Sequence, residues 1–162
     1  MNRASELGIL SKSNPRLVTT LFVREVPRGT NGGMSLEGTI ASAAGGLFIG
    51  SIFWLLSIAY PNASTSQFPM VIVGMACGLI GSLYDSILGA TLQATFYSME
   101  RKCIIKHRDR HVALADNSIT RICGFDILSN EAVNLVSILM TMLSVIYIGP
   151  TVFCMFDSSQ CY

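Results

Sequence analysis

Three long apolar runs alternate with polar segments along this chain. Leu36–Tyr60 contains one charge, Glu37, near its start; Phe68–Leu92 contains one, Asp85; Ala132–Phe156 contains none. A helix needs about 20 mostly apolar residues to cross a bilayer core of ~30 Å, and each run exceeds that. Buried helices of soluble domains are shorter and amphipathic. The pattern therefore predicts an all-α, polytopic transmembrane bundle of about three spans, at 36–60, 68–92 and 132–156. All of 1–162 reads as one membrane domain, and Pro61–Gln67 as a tight turn between antiparallel helices.

Charge gives the runs an orientation. Only 13% of residues are charged, against about 25% in soluble domains. Every Lys and Arg falls in residues 1–35 or 93–131, and none in 61–67 or 157–162. Three spans put both basic segments on one side, and the positive-inside rule makes that side cytoplasmic. The net charge of +1 carries no signal for nucleic acid. The five cysteines are scattered, with no Cys-x-x-Cys pair, which argues against a disulfide framework or zinc site. Cys77 and Cys154 lie in apolar runs and read as packing residues. Met1–Gly8 is short and polar, unlike a signal peptide. The sequon Asn62-Ala63-Ser64 falls close to the membrane on the non-cytoplasmic side and is expected to be unused.

Within the spans, small residues recur every fourth position in the second run: Gly74, Gly78, Ser82, Ser86 and Ala90. Residues at that spacing share a helix face, and small faces let membrane helices approach closely. The first run has a shorter version, Ser42, Gly46 and Gly50, so these two helices are expected to pair. Asp85 falls on the small-residue side. An ionisable residue within a span is costly and marks function by default; the competing reading is a protonated Asp bonded to a neighbouring helix. Seven residues, about 10 Å of helix, separate it from the cytoplasmic end of its run. Asn134, Ser137, Thr141 and Ser144 form a polar stripe on the third run, suited to line a cavity with Asp85 or to hydrogen-bond between helices.

Outside the spans, Gly29-Thr30-Asn31-Gly32-Gly33 directly precedes the first run. Such a loop at a helix N-terminus either cradles phosphate, with Lys12, Arg16 and Arg28 adding charge, or is only a turn. Glu37 in the first helical turn complements the helix dipole. Residues 98–111 are basic with two isoleucines, a surface segment for anionic headgroups. His107 and His111 lack a third metal ligand nearby.

Several blocks carry a family resemblance: Ala4-Ser5-Glu6-Leu7-Gly8, Pro15–Thr19, Gly29–Gly33, Gly38–Ser42, Asp85–Gln93 and Asn130–Asn134, in that order. Together they resemble the transmembrane protein 19 family and are similar to plant phytyl-phosphate kinases. Ser35-Leu36-Glu37-Gly38-Thr39 also looks like a block of dolichol kinases and phosphatidate cytidylyltransferases. The resemblance implies phosphorylation of an isoprenoid or other lipid monophosphate by a nucleoside triphosphate at the cytoplasmic face. Glu6 and Asp85 would be the catalytic acids and hold Mg²⁺. Lys12, Arg16, Gly29, Thr30, Asn31, Gly32 and Gly33 would hold nucleotide phosphates. Ser86, Gly89, Gln93, Asn130 and Asn134 would border the lipid or pair helices. The endoplasmic reticulum or another endomembrane is the expected location. Family members usually carry an Asp-Thr pair and further helices before the Ala-Ser-Glu block, where this chain has Met1-Asn2-Arg3; it resembles the family's C-terminal half. The alternatives are a non-enzymatic membrane protein, either a transporter fragment or an oligomeric helix-packing scaffold, and a truncated inactive isoform.

Overall fold

A computed structural model describes residues 15–20, 25–59, 67–100, 103–105 and 119–156. Three helices dominate: α1 (Leu36–Ala59), α2 (Pro69–Leu92) and α3 (Asn130–Phe156), each long and apolar enough to span a membrane. They coincide with the three apolar runs to within two residues. The expected turn at Pro61–Gln67 and the sequon at Asn62 lie almost wholly outside the described residues. Five short strands accompany the helices: β1 (Arg16–Leu17), β2 (Gly33–Met34), β3 (Thr95–Ser98), β4 (Cys103–Ile105) and β5 (Ile119–Cys123). The chain forms two compact units, one of 1–38 with 85–136, the other of 39–84 with 137–162.

The second unit is helical, and its tightest contact is glycine on glycine. A Cβ at Gly46 would lie against Gly74 O, one at Gly78 against Ser42 O, and one at Gly50 against Met70 O. The pairs 42–78, 46–74 and 50–70 step one turn at a time in opposite directions, so α1 and α2 are antiparallel and meet along their small-residue stripes. Without side chains between them, the backbones come within van der Waals reach, which is how membrane helices gain packing energy in a solvent as apolar as they are. The polar stripe of α3 packs on α2 as well: Ser144 Oγ and Tyr84 Oη are 3.0 Å apart, and Thr141 lies beside Gly81. Thr141 also donates to Ser137 O. At the other end, Trp54, Phe68 and Phe156 stack edge-on in series. Cys154 is disulfide-bonded, correcting its reading as a packing residue; its partner lies outside the described residues. Sequence spacing missed this because nothing in an apolar run marks a thiol near the helix end for oxidation.

The first unit contains a sheet formed within the basic segment 93–131. Its strands β3, β4 and β5 form an antiparallel sheet in the order β4-β3-β5, with Phe96 opposite Ile105 and Arg121. Thr95-Phe96-Tyr97-Ser98 and Ile119-Thr120-Arg121-Ile122-Cys123 are rich in the β-branched and aromatic residues that favour strands. Runs of three to five residues lie at or below the short end of the range in which a period of two can be read. Leu17, Val26 and Ala90 form a small buried core, with Ile122 and Cys123 packed against it. Side-chain caps start two helices: Ser35 Oγ accepts from Gly38 N at 3.1 Å, and Ser129 Oγ from Ala132 N at 3.2 Å. The last carbonyls of α2, which have no partner within the helix, are met by the turn after β5. Phe125 N donates to Thr91 O at 2.7 Å, and Ile127 N and Leu128 N donate to Leu92 O at 3.1 and 3.0 Å.

Candidate functional site

The Gly-rich loop is two consecutive turns. Thr30 N donates to Pro27 O at 3.2 Å, and Gly33 N to Thr30 O at 3.0 Å. The third residue of each turn is a glycine in the left-handed region, Gly29 at φ 86° and Gly32 at φ 74°, as a type II turn requires. Thr30 is buried and its hydroxyl donates to Pro27 O at 2.6 Å. The β1–β2 ladder closes the loop's base, with Arg16 opposite Met34 and Leu17 opposite Gly33, and Val18 N donates to Gly32 O at 3.2 Å.

The sheet then fixes the loop's tip from outside. Asn31 N donates to Thr95 Oγ1 at 3.1 Å, and Cys123 Sγ donates to Asn31 O at 3.4 Å. Thr95 and Cys123 are cross-strand partners of β3 and β5, so both sides of one residue's backbone are held by one rung of the sheet. Thr95 is almost fully buried. The loop in turn lies on the last two turns of α2. A Cβ at Gly32 would collide with Ala90 and with Ser86 O, and one at Gly89 would lie 3.2 Å from Gly32 N and 3.6 Å from Asn31 Cβ. The Thr-Asn-Gly-Gly and Asp-Ser-x-x-Gly-Ala blocks, 55 positions apart from Thr30 to Asp85, are thus one packed structure.

The other expected site residues take varied positions. Asp85 is half-buried on α2, one residue before the buried Ser86. Among the described residues, no hydrogen bond or ion pair engages its carboxylate. Arg16 is exposed and pairs with the exposed Glu25 at 3.8 Å, an arrangement worth little in water. Gln93 is buried just beyond α2, and a Cβ at Gly124 would collide with its carbonyl. Asn130 is exposed at the start of α3, with Asn134 one turn further and partly buried. Glu6, Lys12, His107 and His111 lie outside the described residues. Among the described residues, no three His, Cys, Asp or Glu side chains group to hold a metal ion. The amides of Thr30, Asn31 and Gly33 donate within the protein, so a phosphate here would depend on other donors of the loop.

Three contributors escaped sequence reasoning. Thr95 and Cys123 hold the loop from strands that went unread. Gly124, at φ 73°, lets the chain turn against the end of α2. A glycine directly after Ile119–Cys123 was the available signal, since glycine bounding a β-branched run marks a turn.

The chain has relatives among known membrane proteins. The chain is 37% identical over 142 residues to Protein PGR of Arabidopsis thaliana, covering 85% of this chain and 46% of that protein. An uncharacterized membrane protein of Methanocaldococcus jannaschii is 36% identical over 121 residues, 75% of this chain and 43% of the relative. Protein VTE6, chloroplastic, of Arabidopsis thaliana is 36% identical over 90 residues, 56% of this chain and 24% of the relative. The chain thus spans less than half the length of these relatives. No solved structure matches it. Residues 3–142 match the family model of integral membrane protein DUF92, and with three helices long and apolar enough to span a membrane among the described residues the chain belongs to that integral membrane protein family.

Proposed function

We propose that this chain is part of a membrane-embedded kinase that transfers a phosphoryl group from a nucleoside triphosphate to an isoprenoid or other lipid monophosphate at the cytoplasmic face. The reading rests on the resemblance to the transmembrane protein 19 family and plant phytyl-phosphate kinases. What supports it most is one observation: the Gly29–Gly33 loop is seated on Ser86, Gly89 and Ala90, directly after Asp85. The two most specific blocks of the resemblance thereby meet beside an acid inside a span.

In this proposal a non-bridging oxygen of the lipid phosphate attacks the γ-phosphorus of the nucleotide. The new O–P bond forms as the bond to the β–γ bridging oxygen breaks, and that oxygen leaves with the electron pair on the nucleoside diphosphate. Such transfers need positioning and charge neutralisation more than covalent help. Lys12 and Arg16 would neutralise phosphate charge, and the loop would fix its position. Mg²⁺ enters only as the ion accompanying the nucleotide, with Glu6 and Asp85 the acids assigned to it. Ser86, Gly89, Gln93, Asn130 and Asn134 would border the lipid chain or pair helices. An endomembrane such as the endoplasmic reticulum is the proposed location. The competing scaffold reading is weakened because Gly46, Gly74 and Gly78 are already packed against one another's helices within the chain.

The test is purified, reconstituted protein with geranylgeranyl or phytyl monophosphate, Mg²⁺ and CTP or ATP. Lipid diphosphate should form, and Asp85→Asn should abolish it. Full activity in Asp85→Asn would remove Asp85 from the chemistry. Absence of Mg-nucleotide-dependent stabilisation in the wild type would instead favour a non-enzymatic membrane protein.

A further inference from the structure

The turn after β5 places two large apolar side chains where a membrane protein meets water. Phe125 and Ile127 are 62% and 67% exposed. Their backbone N–H groups donate to Thr91 O and Leu92 O, the final carbonyls of a membrane-spanning helix. These bonds fix the depth of both side chains: they lie level with the end of a span, at the boundary of hydrocarbon and headgroups. Arg121 is exposed on β5, an edge strand of the sheet, and its guanidinium lies 5.6 Å from the centre of the Phe125 ring. Among the described residues, no acid forms an ion pair with Arg121; the ion pair found there is Arg16–Glu25.

We propose that Phe125, Ile127 and Arg121 form an interfacial lipid site, in which the two apolar side chains enter the acyl boundary and the guanidinium binds the phosphate of an anionic headgroup. Aromatic residues favour this depth because their rings tolerate both an apolar and a wet neighbourhood. A guanidinium stacked on an aromatic face keeps its edge donors available, and that edge matches phosphate geometry. The stack also holds the cation directly above the ring that enters the membrane, so headgroup and acyl contacts belong to one lipid. This site is independent of the proposed kinase activity.

The test places an indole at the site and reads its surroundings. Phe125→Trp is made with Trp54→Phe, which removes the chain's single tryptophan, and the protein is reconstituted in vesicles. Ile127→Trp in the same background serves as a second probe should the first variant fail to fold. Emission is expected to be quenched by lipids brominated on the acyl carbons nearest the headgroup and protected from iodide supplied on both sides. Brominated phosphatidylglycerol should outcompete brominated phosphatidylcholine by about fivefold, the equivalent of the ~1 kcal/mol one basic residue contributes beside an anionic leaflet. Arg121→Gln should reduce that preference to none. Quenching by iodide, or by neither reagent, would overturn the site, the second result pointing to a covering protein surface. Lipid quenching without headgroup preference would overturn the role of Arg121.

Discussion

Replacing Gly32 by alanine should unseat the loop from α2. Two costs add at this residue. Its φ of 74° is one that L-residues reach at about 1–2 kcal/mol. The new methyl group would also collide with Ala90 and the Ser86 carbonyl, and overpacking a filled contact costs about 1–3 kcal/mol. Relief requires the loop to lift, which breaks the bonds from Val18 N to Gly32 O, from Asn31 N to Thr95 Oγ1 and from Cys123 Sγ to Asn31 O. A combined penalty of ~3 kcal/mol raises the open fraction about a hundredfold. The Cys123 thiol reports it directly, since it is partly buried and bonded to the loop only when the loop is seated. Maleimide labelling resolved by peptide mass spectrometry should therefore show Cys123 reacting about a hundredfold faster in Gly32→Ala, with the exposed Cys103 unchanged as an internal standard. Gly45→Ala is the control, because a Cβ there meets nothing within 4 Å. If Gly32→Ala and Gly45→Ala label Cys123 at the same rate, the loop is not held by this contact.

Other substitutions probe separate contacts. Gly46→Ala would press a methyl group on the Gly74 carbonyl, and a loss of about 1–3 kcal/mol should appear as a lower thermal midpoint in detergent; an unchanged midpoint would contradict the α1–α2 register. Thr95→Val should cost about 1–3 kcal/mol by leaving the Asn31 N–H without its acceptor, and Thr95→Ser should restore most of it, read by the same Cys123 labelling. The Tyr84–Ser144 bond (3.0 Å) should contribute only about 0.6 kcal/mol, as hydrogen bonds within membranes do; a Tyr84→Phe, Ser144→Ala double-mutant cycle with a coupling above about 2 kcal/mol would mean the pair belongs to a larger network.

What the sequence made legible follows from the length and period of each signal. The spans were readable because a bilayer imposes a long apolar run with no compensating pattern needed. The pairing of α1 with α2 was readable because both partners carry the same four-residue stripe, Ser42-Gly46-Gly50 against Gly74 and Gly78. The strands β3 to β5 were not, because at three to five residues each lies at or below the short end of the range in which alternation can be read. Thr95 and Cys123 therefore gave no hint that they hold Asn31.

The small-residue stripe of α2 shows where this limit lies. Its members Gly74, Gly78, Ser82, Ser86 and Ala90 share one spacing and one face, and all but Ser82 meet a close approach. A stripe states that something comes near, since small side chains are the condition for it, but not what comes. At Gly74 and Gly78 the partner is a helix and has a matching period, so the sequence names it. At Ser86 and Ala90 the partner is Gly32, in a loop whose two turns have no period to match. Its signature is conformational instead: glycines at the two positions where the backbone must take positive φ, Gly29 and Gly32. The stripe and the loop had each been singled out, yet only the fold could join them, because the joint is made by backbone against backbone and leaves no complementary side chains to read. The same geometry makes Gly32 intolerant of any side chain.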